Sequence, residues 1–162
     1  MSEINGRDVA VAQLNEFYEA RGVFEEDRII AEFDAEEIKA FEYMSDEEVA
    51  EAKELGDPLR EVIIRALQRQ EIVLNEEHQF EYKLSDPPMK DGSPLIATIK
   101  FKKRYTGAAF LSNTVGVKRD DLMLLNYASI ASRCGISTSL FKLLSIDDIE
   151  VCQAVAGIYS RK

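Results

Sequence analysis

The sequence predicts a mostly helical α+β protein: an acidic helical region over residues 1–77, then one β-hairpin and a C-terminal helical subdomain within 78–162. Apolar residues recur at i, i+3 and i+4 behind capping signals through most of the chain, which is the periodicity of amphipathic helices. Only the stretches flanking residues 85–94 alternate with period two. Charge divides the same way: residues 1–78 hold 8 Lys and Arg against 22 Asp and Glu, a net −14, whereas residues 79–162 hold 12 against 8, a net +4. Such a division marks two surfaces with different partners, or halves that attract one another.

The elements follow in order. Val11, Leu14, Phe17 and Tyr18 share one helical face that Gly22 can close. A second helix is expected through Arg28–Phe33, and a third behind Asp34, with Ile38 and Phe41 inward. Ser45-Asp46-Glu47-Glu48 is a capping-box signal, in which the serine hydroxyl accepts from the first turn and Glu48 reaches back to the Ser45 amide. Val49, Ala52 and Leu55 follow, and Gly56 ends that helix. Asp57-Pro58 restarts the chain with a cap and a proline at the first helical position, where a missing N–H is harmless. Leu59, Val62, Ile63, Ala66 and Leu67 then form the clearest apolar stripe, on a helix expected to reach about Val73.

Phe80, Tyr82 and Leu84 alternate with Glu81 and Lys83, so the first hairpin strand is read at 80–84. The turn formers Ser85-Asp86-Pro87-Pro88-Met89-Lys90-Asp91-Gly92-Ser93-Pro94 follow. In the second strand Leu95, Ala97, Ile99, Phe101 and Tyr105 face inward, with Thr98, Lys100, Lys102 and Arg104 outward. Two strands do not make a stable sheet alone, so the pair is expected to lie on helices or on another chain. Beyond Thr106-Gly107 come a short helix at 108–113 and a helix with Leu122, Leu125, Ile130 and Ala131 that Gly135 stops. After a short segment at 140–144, Ser145 and Asp148 start a last helix whose buried side is Ile149, Cys152, Val155, Ala156 and Tyr159.

A search for reactive clusters assigns no catalytic, cofactor or metal residue. Ser–His–acid and Cys–His catalysis need a histidine, and the lone His78 lies between Glu77 and Gln79 at a solvated junction. One histidine and two cysteines 18 residues apart, Cys134 and Cys152, have no zinc spacing. Both cysteines read as small buried hydrophobes. The triplets Glu25-Glu26-Asp27 and Asp46-Glu47-Glu48 lack the alternating ligands and glycine of a calcium loop, and they sit where helix dipoles favour acids. No glycine-rich phosphate loop is present. The start of the sequence does not look like a signal peptide, and no apolar run approaches the roughly 20 residues that span a bilayer. A soluble, cytoplasmic protein is the expectation. The acidic half argues against nucleic acid and anionic membranes as partners. The basic strand face has three readings: a lysine-rich edge that discourages strand pairing, a docking surface for an acidic protein, or a nucleic-acid platform.

Residues from Phe80 to Tyr159 carry a family pattern. Leu84-Ser85-Asp86-Pro87 leads to the turn Asp91-Gly92 and to the basic strand end Phe101-Lys102-Lys103-Arg104-Tyr105-Thr106-Gly107. Arg133-Cys134-Gly135-Ile136-Ser137 then closes a helix, and Leu144-Ser145-Ile146-Asp147-Asp148 runs into Ala154-Val155-Ala156-Gly157-Ile158-Tyr159. This order resembles the tail assembly chaperones of contractile-tailed phages and prophages, the Mu-like family in particular, with Tyr105 where that family tends to have proline. The resemblance covers about the last 80 residues, and its motifs include no catalytic fingerprint. It implies a non-enzymatic assembly factor that coats the tape-measure protein, hands it to tail-tube subunits and leaves as the tube grows.

The residues expected to meet the partner are Phe101, Lys102, Lys103, Arg104 and Tyr105, with Leu59, Ile63 and Leu67 as a second group. Self-association is part of the same expectation. The alternative function is an acidic regulatory module that neutralises a basic partner. A hydrolase using paired carboxylates lacks two acids in an apolar stretch that would raise a pKa.

Overall fold

The computed structural model describes residues 5–23, 39–55 and 58–159. Its elements are α1 (Arg7–Arg21), α2 (Asp46–Leu55), α3 (Pro58–Gln68), β1 (Ile72–Leu74), β2 (Phe80–Lys83), β3 (Met89–Lys90), β4 (Ser93–Pro94), β5 (Thr98–Lys100), α4 (Gly107–Asn113), α5 (Leu122–Cys134), α6 (Thr138–Phe141) and α7 (Ile146–Tyr159). The protein is mostly helical α+β, with a small antiparallel sheet. The helix expected through Arg28–Phe33, the start at Asp34 with Ile38, the triplet Glu25-Glu26-Asp27, and Gly56 and Asp57 lie outside the described residues.

Local chemistry sets most helix ends. Gly22 takes a left-handed φ of 70°, and amides there return to the Tyr18 and Glu19 carbonyls. The capping box forms at α2: the Ser45 amide donates to Glu48 Oε2 at 2.8 Å and the Glu48 amide to Ser45 Oγ at 3.3 Å. Pro58 is the first residue of α3. Thr106, Asp121 and Ser137 cap α4, α5 and α6 through their side-chain oxygens.

The sheet departs from the expected single hairpin. α3 stops at Gln68, and Ile72–Leu74 forms a strand instead of extending the helix. Gln70 turns the chain with a positive φ of 57°. β1 then pairs antiparallel with β2 in the register Ile72↔Tyr82, Val73↔Glu81 and Leu74↔Phe80. Among the described residues the sheet order is β1-β2-β5, so the boundary between residues 77 and 78 falls within the β1–β2 hairpin. The region read as a long turn folds on itself as a β3–β4 ribbon. Leu95 and Ala97, expected inward, are therefore exposed, and β5 begins only at Thr98.

The sheet needs no other chain to cover its apolar face. Phe80, Tyr82, Leu84, Ile99 and Phe101 join one core with Phe17 of α1, Ile63 and Leu67 of α3, and Tyr159 of α7. Phe17 is the centre of an aromatic group, its ring centroid 4.6 Å from Phe80 and 4.9 Å from Tyr159. α3 packs against α1 and α7, and α5 against α4, α6 and α7. α7 is the central helix: beyond the expected face, Ala154 and Ile158 are buried too. An ion pair also joins the halves, with Lys100 Nζ 3.6 Å from Glu77, and His78 Nε2 lies 3.3 Å from Glu16. Cys134 and Cys152 are free and buried.

A buried carboxylate ties the sheet to α7. Asp148 is fully buried, and Oδ1 accepts from the Tyr82 hydroxyl at 2.6 Å and from the amide and hydroxyl of Ser85, each at 2.9 Å. Oδ2 accepts from the Asp86 amide at 3.1 Å and the Ser145 hydroxyl at 2.9 Å. Burial acts to raise the pKa of this carboxyl, but the hydrogen bonds, led by that of Tyr82, outweigh it and hold it below the usual range.

Candidate functional site

The chain leaves β5 along a segment anchored by its backbone, with three cationic side chains exposed. The Phe101 amide still bonds to the Phe80 carbonyl at 3.1 Å, and the Lys102 amide then bonds to the Arg133 carbonyl at 2.7 Å, at the end of α5. Arg133 Nη1 returns to the carbonyls of Lys102 at 2.8 Å and Lys103 at 3.2 Å, and Arg21 Nη1 reaches the Lys103 carbonyl at 3.4 Å. Lys102, Lys103 and Arg104 form an exposed basic ridge on this fixed backbone. The stem of Lys102 lies over Gly135, where a β-carbon would meet Lys102 Cε at 2.6 Å. Tyr105 is half-buried, its hydroxyl 3.3 Å from Ser129 Oγ and its ring 4.5 Å from the Arg133 guanidinium carbon.

Beside the ridge lies an open groove of about 480 Å³, with Lys102, Arg104 and Tyr105 on one wall and Ser132 and Ile136 among the residues opposite. It adjoins a second hollow of about 360 Å³ through Ser112, Asn113 and Ser137, and Val115, Leu124 and Lys142 line that hollow. Asn113 holds the junction together: its amide group donates to Ser132 Oγ and the Ile136 carbonyl, while its Oδ1 accepts from the Thr138 amide. Large apolar side chains on α4, on α5 and between them stay in solvent, with Leu111 65%, Val115 84%, Leu122 74% and Met123 66% exposed. The groove thus has cations along its ridge, and the adjoining hollow sets the apolar Val115 and Leu124 beside Lys142. An amphipathic polypeptide with acidic residues complements both.

The expected contact residues separate into three groups. Lys102, Lys103 and Arg104 stand on the surface together. Leu59 and Tyr105 are half-buried and line a second cleft, next to Arg133, and Tyr105 borders the groove as well. Phe101, Ile63 and Leu67 are completely buried and have no surface to offer a partner. The correction has a simple cause: the α3 stripe and the inward face of β5 are consumed by this chain's own core.

A buried cation, Arg133, and a half-buried one, Arg21, escaped sequence reading. Arg21 and Arg133 approach the Tyr159 ring, their guanidinium carbons 4.9 and 5.1 Å from its centroid. The Tyr159 hydroxyl accepts from the Phe80 amide at 3.0 Å, and its backbone carbonyl accepts from Arg21 Nη2 at 2.6 Å. Burial lowers the pKa of both arginines, and the charge of Arg21 lowers that of Arg133 further. Burial raises that of the Tyr159 phenol.

Among the described residues no cluster of three or more His, Cys, Asp or Glu side chains could hold a metal ion, and no helix is long and apolar enough to cross a membrane. Comparison of the chain with protein-family models, curated proteins and solved structures finds no match.

Proposed function

We propose that this chain is a non-enzymatic assembly factor that binds another polypeptide on the basic ridge and the adjoining groove. One observation carries the reading: Lys102, Lys103 and Arg104 project from a backbone fixed by Arg133 and Arg21, beside a groove that adjoins a hollow lined by the exposed Val115. Rigid presentation lowers the entropy lost on docking. The order of motifs from Leu84 to Tyr159 supports the specific form, a phage tail assembly chaperone acting in the bacterial cytoplasm on tape-measure and tail-tube proteins. In that role the ridge takes acidic side chains of the tape-measure helices and Leu111, Val115 and Met123 shield their apolar faces. The acidic half, at −14, keeps the complex soluble.

The test is charge reversal. Lys102, Lys103 and Arg104 are replaced together by glutamate, and capture of tape-measure and tail-tube proteins is measured by co-purification. Capture is expected to disappear with helicity unchanged by circular dichroism, and undiminished capture refutes the assignment. Binding to a basic protein instead, lost on adding salt, would replace this reading with that of an acidic regulatory module.

A further inference from the structure

Between α5, α7 and the start of α3 lies a cleft of about 220 Å³ whose lining includes Tyr105, Asn126, Ser129, Arg133, Gln153 and Leu59. Arg133 is 8% exposed, and both of its hydrogen bonds come from Nη1. Its Nε and Nη2, the edge that grips a two-oxygen acceptor side-on, make no hydrogen bond among the described residues. No carboxylate among the described residues lies within ion-pair distance of Arg133 or Arg21. Among the described residues, the buried Arg133 and the half-buried Arg21 flank one buried tyrosine and meet only carbonyls and ring faces, so the buried Arg133 charge has no carboxylate partner there.

We propose that this cleft is a carboxylate-binding site, in which Arg133 seats the two oxygens and Asn126, Ser129 and Gln153 supply further hydrogen bonds. The other walls, Leu59 and Ile130 with Ala156 and Gly157, suit a short aliphatic stem. A glutamate side chain and a small aliphatic acid share that chemistry. A planar carboxylate fits one arginine fork better than a tetrahedral dianion does, since among the described residues the cleft lining holds no second cation. The site goes beyond the tail-assembly reading and does not rest on it: the ridge can fail to capture its partner while the cleft still binds.

The experiment titrates the intact chain, at matched ionic strength, with glutarate, with N- and C-blocked glutamate and with inorganic phosphate. The Arg133 Nε–H resonance and the melting temperature are followed. Either carboxylate is expected to shift the resonance and raise the melting temperature. A response to glutarate alone identifies a free acid as the ligand, and one to blocked glutamate alone identifies a polypeptide side chain. Gln153 is exposed, so Gln153→Glu tests the site without disturbing the core. It supplies a carboxylate from the chain itself, and should raise the melting temperature of the free protein and weaken carboxylate binding at least about tenfold. Arg133→Lys keeps the charge but loses the fork, and should weaken binding by a similar factor. The proposal is overturned if neither glutarate nor blocked glutamate moves the resonance at about 10 mM, well above a millimolar Kd. Undiminished binding by Gln153→Glu, or an equal response to phosphate, overturns it as well.

Discussion

Replacing Asp148 with alanine removes the acceptor for the Tyr82 hydroxyl, the Ser85 amide and hydroxyl, the Asp86 amide and the Ser145 hydroxyl at once. These donors do not count equally. Tyr82 is 1% exposed, so its hydroxyl is left without a partner, at about 1–3 kcal/mol. Ser85 and Asp86 are exposed and Ser145 is half-buried, so water recovers most of their bonds, leaving a further loss of about 1–2 kcal/mol between them. The first turn of α7 also loses a favourable acid, worth about 0.5 kcal/mol. Together these give about 4 kcal/mol, or a fall in melting temperature of about 8–16 °C for a chain of this size. Asp148→Asn keeps one acceptor oxygen and should lose about half as much. Urea unfolding followed by circular dichroism measures both variants. The pH dependence adds a sign. The native carboxyl has a depressed pKa, so its stabilisation is fully present above the ordinary aspartate value of about 4 and is lost as pH falls through the lower native one. The gap between wild type and Asp148→Asn should therefore narrow below about pH 4. An alanine variant within about 0.5 kcal/mol of wild type, or a gap that ignores pH, refutes the reasoning.

Further predictions concern the backbone and the thiols. Gly135→Ala forces a side chain into φ +71° and against the Lys102 stem, and should destabilise the protein by about 1–2 kcal/mol in urea unfolding. Phe101→Ala should act on stability by about 3–5 kcal/mol, because the ring lies wholly within the core. Cys134 and Cys152 should resist Ellman's reagent in the native protein and react on unfolding. The Cys152 thiol is hydrogen-bonded with Cys134 and buried, and both effects raise its pKa.

The parts of the fold legible in the sequence are those that short-range chemistry dictates. Gly22, Ser45 with Glu48, Pro58 and Gly135 act within a few residues of themselves, and the structure uses each as expected. β1 was not legible, because Val73 and Leu74 also continue the apolar stripe of Val62, Ile63, Ala66 and Leu67, and Gln70 turns the chain without glycine or proline. Only pairing with β2, a tertiary contact, decides between strand and helix there. Leu95 and Ala97 fit the strand alternation but belong to the stretch that follows the β3–β4 ribbon. In the candidate site, alternation located the exposed cations and also put Phe101 inward, where a partner cannot touch it. Arg21 and Arg133 resemble ordinary cations in the last turn of a helix, where the dipole favours them. Nothing local says that both turn toward Tyr159. Asp148 has the same history, reading as a helix-start acid until β2 and the following turn bring their donors to it.

Hydrogen–deuterium exchange with and without tape-measure protein tests the docking surface most directly. Amides of residues 102–117 should become protected in the mixture, while those of β1 and β2, already paired within the sheet, stay as they were. A bound complex that leaves 102–117 unprotected, or protects only the acidic N-terminal residues, contradicts the account.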